Sequence, residues 1–421
     1  MPSLYELSNR LWAGQDKTSD KGCHPFAPLY QIEEVSDGVA FYKGFSNLAA
    51  IRTDAGLSLI DTGSFHPVAQ GRIFEKLRSW SEEPIHTAVY THGHADHAYG
   101  LPPFLAEARD KGWQEPEIIG HSLVRARMDR YIHTAGFNSL INTRQFGHEQ
   151  QWPTDPIYPT KTYDSALELE VGGVAFELHH ARGETDDHTW VFLPGKKVLY
   201  TGDLFIWAAP NAGNPQKVQR YALDWIQALR QMSQLGAEVL LCGHGLPVFG
   251  ANRVQQALSE TADYLQSLLD QTLTLMNEGA SLDAITRAVQ PPADLAERPY
   301  LQPVYDEPEF IVRNIWRCYG GWYNDRPSDL KPAPTAAIAS EIATLAGGVG
   351  RLVERAREHQ TAGEMRLACH LIDWAAEAEP DSREVHAARA AIYTQRNKAE
   401  TSTMAKGIFR AASVDSDKRA G

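Results

Sequence analysis

The sequence has few cysteines, no long apolar run and no surplus of basic residues. Its 421 residues include four cysteines, Cys23, Cys242, Cys318 and Cys369, which lie far apart and form no CxxC pair. This spacing excludes a disulfide-rich scaffold and predicts reduced thiols in a cytoplasmic protein. No stretch approaches the roughly 18 continuous apolar residues of a membrane span, so none is predicted. The first residues also lack the apolar core of a signal peptide.

The charge balance is acidic, with 53 Asp and Glu residues against 40 Lys and Arg residues and a formal net charge of −13. Binding to the phosphates of nucleic acid needs a surplus of Lys and Arg, so nucleic acid is not predicted as a partner. A small anionic substrate stays compatible with this balance, because it needs only a few local positive groups or metal ions. The length allows two or three domains with a sizeable buried core.

Changes in the residue pattern predict four segments. Residues 1–30 lack a regular pattern and are predicted to be a leader, and 31–255 have the short apolar strands and helices of an α/β domain. Residues 256–412 are predicted to form an all-helical domain, and 413–421 a disordered tail. In the α/β segment, polar residues of metal-binding types follow apolar strands at four places. Open α/β sheets place their sites in this position.

The densest of these clusters is HGHADH at residues 92–97, which directly follows an apolar strand. Three histidines and an aspartate within six residues are hard to explain as packing. Glu184, Asp203 and His244 follow later strands in the same way. Imidazole nitrogen and carboxylate oxygen suit zinc, iron or manganese, and the lack of cysteine ligands argues against a structural zinc knuckle. The sequence therefore predicts a metal site.

HGHADH resembles the HxHxDH signature of the metallo-β-lactamase superfamily. The segments Gly183–Thr185, Thr201–Asp203 and Cys242–Gly245 resemble its remaining ligand segments, in the same order. The resemblance implies an αββα sandwich over 31–255, with a dinuclear site between the sheets. Most members have a histidine where this chain has Glu184. That substitution, with the flanking residues, resembles the zinc-dependent alkylsulfatases of the superfamily.

The C-terminal part resembles the same group. Residues 317–327 look like the entry to the helical dimerisation domain of the alkylsulfatases. The resemblance therefore implies an all-α dimerisation domain over 256–412 and a homodimer. We expect no counterpart of the sterol-carrier-like third domain of longer alkylsulfatases within these 421 residues.

The resemblance also implies a ligand set for two metal ions, expected to be Zn²⁺, with iron and manganese as alternatives. It implies His92, His94 and Glu184 for metal one, Asp96, His97 and His244 for metal two, and Asp203 as the bridge between them. Asp96 and Asp203 are then the predicted catalytic carboxylates. One alternative stays open for metal one, in which Glu184 is a surface acid and His179 or His180 is the ligand.

The predicted function is hydrolysis of an alkyl sulfate, a small anionic ester. Two metal ions a few ångströms apart lower the pKa of a bridging water, which supplies hydroxide near neutral pH, and they neutralise charge on a bound oxyanion. Asn211 and Arg220 follow Asp203 in one loop and are predicted to bind the sulfate oxygens, whereas Lys217 is equally well a solvated residue. Another ester, such as a phosphodiester or a lactone, is an alternative substrate on the same fold. A di-iron redox protein is a further alternative, because mixed ligation also suits iron.

Several aromatic residues of the C-terminal half could line an apolar pocket for the alkyl group. They are Tyr300, Tyr305, Trp316, Tyr319, Trp322 and Tyr323. Aromatic residues at helical spacing more commonly belong to a core or an interface, so both interpretations stay open.

Overall fold

Thirteen strands and sixteen α-helices form in the computed structural model, which describes residues 2–421. The strands are β1 (Gln31–Ser36), β2 (Val39–Lys43), β3 (Leu48–Thr53), β4 (Gly56–Ile60), β5 (Ile85–Val89), β6 (Glu117–His121), β7 (Lys161–Tyr163), β8 (Ala166–Val171), β9 (Val174–His180), β10 (Thr189–Leu193), β11 (Val198–Tyr200), β12 (Val239–Leu241) and β13 (Val248–Phe249). The helices are α1 (Leu4–Trp12), α2 (Pro67–Trp80), α3 (Pro102–Lys111), α4 (Leu123–His133), α5 (Ala135–Phe146), α6 (Ala222–Ser233), α7 (Ala251–Asn277), α8 (Leu282–Ala288), α9 (Ala293–Ala296), α10 (Pro308–Gly320), α11 (Pro327–Leu330), α12 (Thr335–Ala346), α13 (Val349–Thr361), α14 (Met365–Ala378), α15 (Arg383–Ala399) and α16 (Thr403–Ala420).

The strands form two mixed sheets. β1 to β7 lie side by side in sequence order. β1 to β4 pair antiparallel through short turns, whereas β4 to β7 pair parallel through helical crossovers. The second sheet has the order β13-β12-β11-β10-β9-β8 and is antiparallel except for the pair β11–β12.

Apolar side chains on alternate positions of the strands build the layers between and outside the sheets. Along β2, Phe41 joins a core with Leu178 and Val191 of the second sheet, whereas the next residue, Tyr42, packs with Ile73 of α2. Helices α6 and α7 cover the second sheet. Two facing sheets with helices outside them form the predicted αββα sandwich, which is confirmed.

The predicted irregular leader is wrong in part, because residues 4–12 form helix α1. Ser3 and Glu6 make a capping box, in which the Ser3 hydroxyl oxygen accepts from the Glu6 amide and the Glu6 carboxylate accepts from the Ser3 amide. Leu4 and Leu11 are buried in the main core. The leader is therefore part of the sandwich unit.

The two structural units divide at a later point than predicted. The first unit contains residues up to Ala135 and Trp152–Gly321, and the second contains Gly136–Gln151 and Trp322–Gly421. Residues 256–321, predicted to belong to the helical domain, lie in the first unit because the buried face of α7 packs on α6.

The second unit is all-helical and contains α5 and α11 to α16. The predicted disordered tail is wrong, because α16 continues to Ala420. Its Ser416 hydroxyl is buried and accepts from the Arg389 guanidinium of α15 at 2.8 Å. Among residues 2–421 no single helix has both the length and the apolar character of a membrane span, although α12 and α13, which meet at 85°, reach both when taken together.

Candidate metal centre

The seven predicted ligands come from segments that directly follow strands of both sheets. The turn at residues 92–97 follows β5 of the first sheet, and Glu184 follows β9 of the second. Asp203 follows β11, and His244 follows β12. The structure brings all seven side chains together in two neighbouring groups that could each hold a metal ion.

The first ligand group consists of His92, His94 and Glu184. Oε2 of Glu184 lies 3.5 Å from Nε2 of His92 and 3.2 Å from Nδ1 of His94, and the two imidazole nitrogens are 2.8 Å apart. Glu184 is 2% exposed. Three ligand atoms of two chemical kinds therefore converge on one buried point.

The second ligand group consists of Asp96, His97 and His244. Oδ2 of Asp96 lies 3.5 Å from Nε2 of His97 and 3.4 Å from Nε2 of His244. The Asp96 side chain is 27% exposed, whereas both imidazoles are buried. This group therefore lies at the open side of the centre.

Asp203 lies between the two groups. Its Oδ2 is 4.0 Å from Nε2 of His92, and its Oδ1 is 3.4 Å from Nε2 of His97. A Cβ atom at Gly243 would lie 2.1 Å from Oδ1 of Asp203, so only glycine leaves room for this carboxylate. The position of Asp203 matches that expected of a bridging ligand.

The two imidazoles of the second group are held by hydrogen bonds to a carboxylate and to a backbone carbonyl oxygen. His97 Nδ1 donates to Oδ2 of Asp61 at 2.9 Å, and His244 Nδ1 donates to the carbonyl oxygen of Phe45 at 2.6 Å. Asp61 also accepts from Thr91 and from the hydroxyl of Tyr200. Asp61 is not among the residues predicted from the sequence, although it directly follows the apolar strand β4, as the predicted ligands follow their strands.

In the first group, the Glu184 carboxylate is held by an amide and a guanidinium group. Oε1 of Glu184 accepts from Nδ2 of Asn211 at 2.6 Å and lies 2.9 Å from a terminal nitrogen of Arg220. Arg220 also donates to the backbone carbonyl of Glu184. These contacts leave the other carboxylate oxygen, Oε2, directed at the two histidines.

Burial and charge keep the imidazoles of the first group neutral. Burial lowers the pKa of His92 and His94 well below its ordinary value, and the nearby Arg127 and Arg220 guanidinium groups lower that of His94 further. Burial also raises the pKa of Glu184 to about 7, although Arg220 opposes this. Neutral imidazoles have free lone pairs, which a metal ion requires.

The second group differs because carboxylates surround its imidazoles. Burial lowers the pKa of His97 and His244, but Asp203 and the other nearby carboxylates outweigh burial and raise both, to about 9 for His244. Burial favours the neutral acid of Asp203, but the two imidazoles hold the pKa of that carboxyl well below its usual range.

The residues present fit divalent cations. Oε2 of Glu184 and Oδ1 of Asp203 are buried and have no hydrogen-bond partner among residues 2–421. Buried acceptors without a donor are costly, and a coordinated cation would satisfy them. Nitrogen and carboxylate oxygen donors suit zinc, iron and manganese.

Two protein families match the chain. The metallo-β-lactamase superfamily matches residues 42–244, and the alkyl sulfatase dimerisation family matches residues 281–418. The superfamily match covers just under half of the chain, and the two matches together cover most of it. The predicted resemblance is therefore confirmed, and the superfamily fold together with the ligand groups supports a metal-dependent hydrolase.

Curated relatives of this chain are sulfatases. It is 26% identical over 360 residues to a linear primary-alkylsulfatase of Pseudomonas sp., a match that covers 79% of this chain and 67% of that protein. It is 25% identical over 382 residues to an alkyl/aryl-sulfatase of Saccharomyces cerevisiae, which covers 85% of this chain and 59% of the relative. A solved structure of a stereoselective inverting sec-alkylsulfatase from Pseudomonas sp. has a TM-score of 0.82 and 22% identity, and covers 91% of this chain and 65% of that one. The chain thus spans about three fifths to two thirds of the length of these relatives.

The alternative ligands for metal one, His179 and His180, lie outside both ligand groups. The ring of His180 stacks on His121 with centroids 3.7 Å apart, and its Nδ1 donates to the backbone carbonyl of His188. The ring of His179 stacks on Trp190. His188 accepts a hydrogen bond from the backbone amide of Asp203 at 3.1 Å, so it supports a ligand segment. The structure therefore gathers Glu184, and neither His179 nor His180, into the first group.

Aromatic rings flank the two ligand groups on two sides. Phe26 lies 4.2 Å from the ring of His244 and 4.3 Å from that of Tyr305. Near the first group, Tyr131 lies 6.0 Å from the ring of His94 and 5.1 Å from that of Trp152. The rings of Phe26, Tyr131 and Trp152 are not predicted from the sequence, because distant parts of the chain supply them.

Two of the aromatic residues proposed from the sequence, Tyr300 and Trp322, lie elsewhere. Tyr300 is buried, stacks on Trp12 at 5.0 Å and donates its hydroxyl hydrogen to Glu260, so it belongs to the core. Trp322 is 69% exposed and lies in the second unit. Tyr305 contacts Phe26, the ring that lies against His244.

Proposed function

We propose that the chain hydrolyses alkyl sulfate esters at a dinuclear metal centre. The observation that carries the proposal is the convergence of two ligand groups on Asp203, with a glutamate in the first group and a buried arginine behind it. The similarity to alkylsulfatases supports the sulfate ester as substrate.

The first ligand group would hold one ion, the second group would hold the other, and Asp203 would contact both. Two divalent cations, when bound, lower the pKa of a coordinated water and neutralise negative charge on an oxyanion. We propose zinc, because nitrogen and oxygen donors in four-coordinate arrangements suit it, and iron and manganese share these donors.

Positive side chains on the side of His94 would bind and orient the sulfate. Arg220, Arg127 and Lys217 all act on His94 by charge. Lys217 is half-buried with its ammonium 5.6 Å from the ring centre of Trp152, and burial lowers its pKa to about 8, so it stays mainly charged at neutral pH. Nε of Arg220 is buried without a hydrogen-bond partner among residues 2–421, which leaves it a donor for an anion. Asn211 and Arg220 thus stay proposed sulfate-binding residues while they hold Glu184.

The aromatic rings near His244 would exclude water and contact the alkyl group. Phe26 and Phe45 are half-buried at the side where Asp96 is partly exposed, with ring centroids 5.3 Å apart. An apolar chain beside these rings loses its contact with water, which favours binding. The resulting site has a positively charged, anion-binding pole at His94 and an apolar pole at His244.

The experiment is a kinetic comparison of alkyl sulfates, alkyl phosphates, bis-aryl phosphates and lactones, with metal content measured on the same sample. We expect the highest kcat/KM for an alkyl sulfate and two zinc ions per chain. A higher kcat/KM for a phosphodiester or a lactone would contradict the proposed substrate. Iron in the purified protein without ester hydrolysis would favour the di-iron redox protein instead.

The match to the dimerisation family over residues 281–418 supports a homodimer, which light scattering at micromolar concentration tests. A cytoplasmic location stays a prediction from the sequence.

A further inference from the structure

We infer that Arg127 and Asp187 form a positioning pair that holds the first ligand group in place and leaves the second group unaffected. The inference rests on the proposed dinuclear centre. Neither residue belongs to a ligand group. Arg127 lies on α4, and Asp187 lies in the loop that carries Glu184.

Asp187 connects the two segments that supply the first group. Its Oδ2 accepts a hydrogen bond from the backbone amide of Gly93 at 2.8 Å, and Gly93 stands between His92 and His94. The Asp187 side chain is fully buried. This hydrogen bond therefore fixes the turn of the two histidines against the loop of Glu184.

Arg127 holds the carboxylate that makes this connection. Its Nε donates to Oδ1 of Asp187 at 2.7 Å, and a terminal nitrogen donates to Asp186. The Arg127 side chain is 2% exposed. Separation of the two side chains would leave uncompensated buried charges, which is costly. The ion pair therefore holds the Asp187 carboxylate in place.

The same pair closes the space beside the histidine turn. A Cβ atom at Gly93 would lie 3.1 Å from Oδ2 of Asp187 and 3.3 Å from Cγ and Cδ of Arg127. Arg127 also donates to the hydroxyl of Tyr131 at 3.4 Å, and that ring faces His94. Packing and hydrogen bonding therefore restrict the turn on this side.

The second group has separate supports. His97 depends on Asp61, and His244 depends on the Phe45 carbonyl. Across residues 2–421, neither Arg127 nor Asp187 has a hydrogen bond to a member of the second group. Loss of the pair should therefore weaken one metal site and spare the other.

The first test measures zinc binding to the full chain by titration of the metal-free protein. We expect Arg127→Met and Asp187→Ala to bind one ion as the wild type does and the other about 10- to 100-fold more weakly, the usual effect of losing a residue that orients a ligand. Arg78→Met is the matched control, because it breaks a 2.7 Å pair with Glu107 whose side chains are 12% and 11% exposed, away from the centre. It should bind both ions as the wild type does. Unchanged binding in the Arg127 and Asp187 variants, or equal weakening of both sites, would overturn the inference.

The second test needs no metal. Hydrogen exchange of the segment around Gly93 in the metal-free chain should be faster in Arg127→Met than in wild type, and unchanged in Arg78→Met. Asp187→Asn keeps an acceptor for the Gly93 amide but loses the ion pair, so it should lie between wild type and Asp187→Ala. Arg127→Lys keeps the charge without the two-pronged contact and replaces Arg127→Met if that variant does not fold. A wild type with fewer than two ions would contradict the proposed function, whereas unchanged exchange in the Arg127 variant would overturn this inference alone.

Discussion

The second ligand group rests on a carboxylate and a backbone carbonyl oxygen, whereas the first group rests on two buried guanidinium groups. Asp61 and the Phe45 carbonyl add negative charge behind the second group. Arg220 and Arg127 add positive charge behind the first. A negatively charged hydrogen-bond partner makes an imidazole a better metal ligand, and nearby positive charge attracts an anion. We therefore propose that the two groups have different tasks, metal retention at the second group and anion binding at the first.

Asp203 is the residue that the two groups share, so its loss has the largest expected effect. Asp203→Ala should lower metal content towards one ion or none, because both groups lose an anionic ligand. We expect turnover to fall by more than the about 10²- to 10³-fold that loss of one transition-state contact costs. Metal analysis and steady-state kinetics check this. Two retained ions with full activity would disprove the shared position of Asp203.

Substitution of Glu184 should disrupt the first group alone, and it has the next largest expected effect. Glu184→Ala should lose the ion of the first group and keep that of the second, whereas Glu184→His should bind two ions with altered rate and substrate preference. The supports of this position were arranged for a carboxylate, so an imidazole leaves Arg220 without its anionic partner.

Glu184→Gln is the matched variant, because it keeps the shape and an acceptor for Asn211 and Arg220 but removes the charge. Zinc titration should place its affinity for the first ion between those of wild type and Glu184→Ala. If Glu184→Ala binds both ions with near-normal activity, the glutamate is not a ligand.

The convergence of the seven proposed ligands could be predicted from the sequence, because each lies in a short pattern after an apolar strand. The residues that form hydrogen bonds to these side chains are harder to predict, because they come from distant segments of the chain. Arg127 shares its spacing with Val124, Met128 and Tyr131, which are buried on one face of α4. That helical periodicity indicates that Arg127 points inward. The identity of its partner, Asp187, depends on how the sheets bring the two segments together, and no local pattern contains this.

At the two ends of the chain, local sequence patterns are equally limited as predictors of structure. The capping box of Ser3 and Glu6 is a local signal, and it could have placed α1 in the leader. The last turns of α16 carry many charged residues, which favours disorder when judged alone. They are ordered by contacts such as that between Arg389 and Ser416. Local patterns therefore predict where elements begin, and tertiary contacts decide which ones persist.

The smallest expected effect concerns the buried cations near the two groups. Arg127 and Arg220 have carboxylate partners, whereas Lys43, which lies behind the second group, donates to the carbonyl oxygens of Pro25 and Gly44 and has no ion-pair partner among residues 2–421. Pro25 also accepts from the Gly245 amide, next to His244.

Burial lowers the pKa of Lys43 to about 7 from an ordinary value of 10.5. Between these values the unfolded chain binds a proton that the folded chain does not, so the free energy of unfolding should rise with pH across this window. The slope is about 1.4 kcal/mol per pH unit, and the contribution is constant below pH about 7. Lys43→Met should remove this slope, and Lys161→Met, at an exposed lysine paired with Glu117, should retain it. Denaturant unfolding from pH 6.5 to pH 9.5 (roughly the window given by the two pKa values) checks both variants. Parallel profiles of wild type and Lys43→Met would show that the unpaired cation behind the second group is as well compensated as the paired ones behind the first.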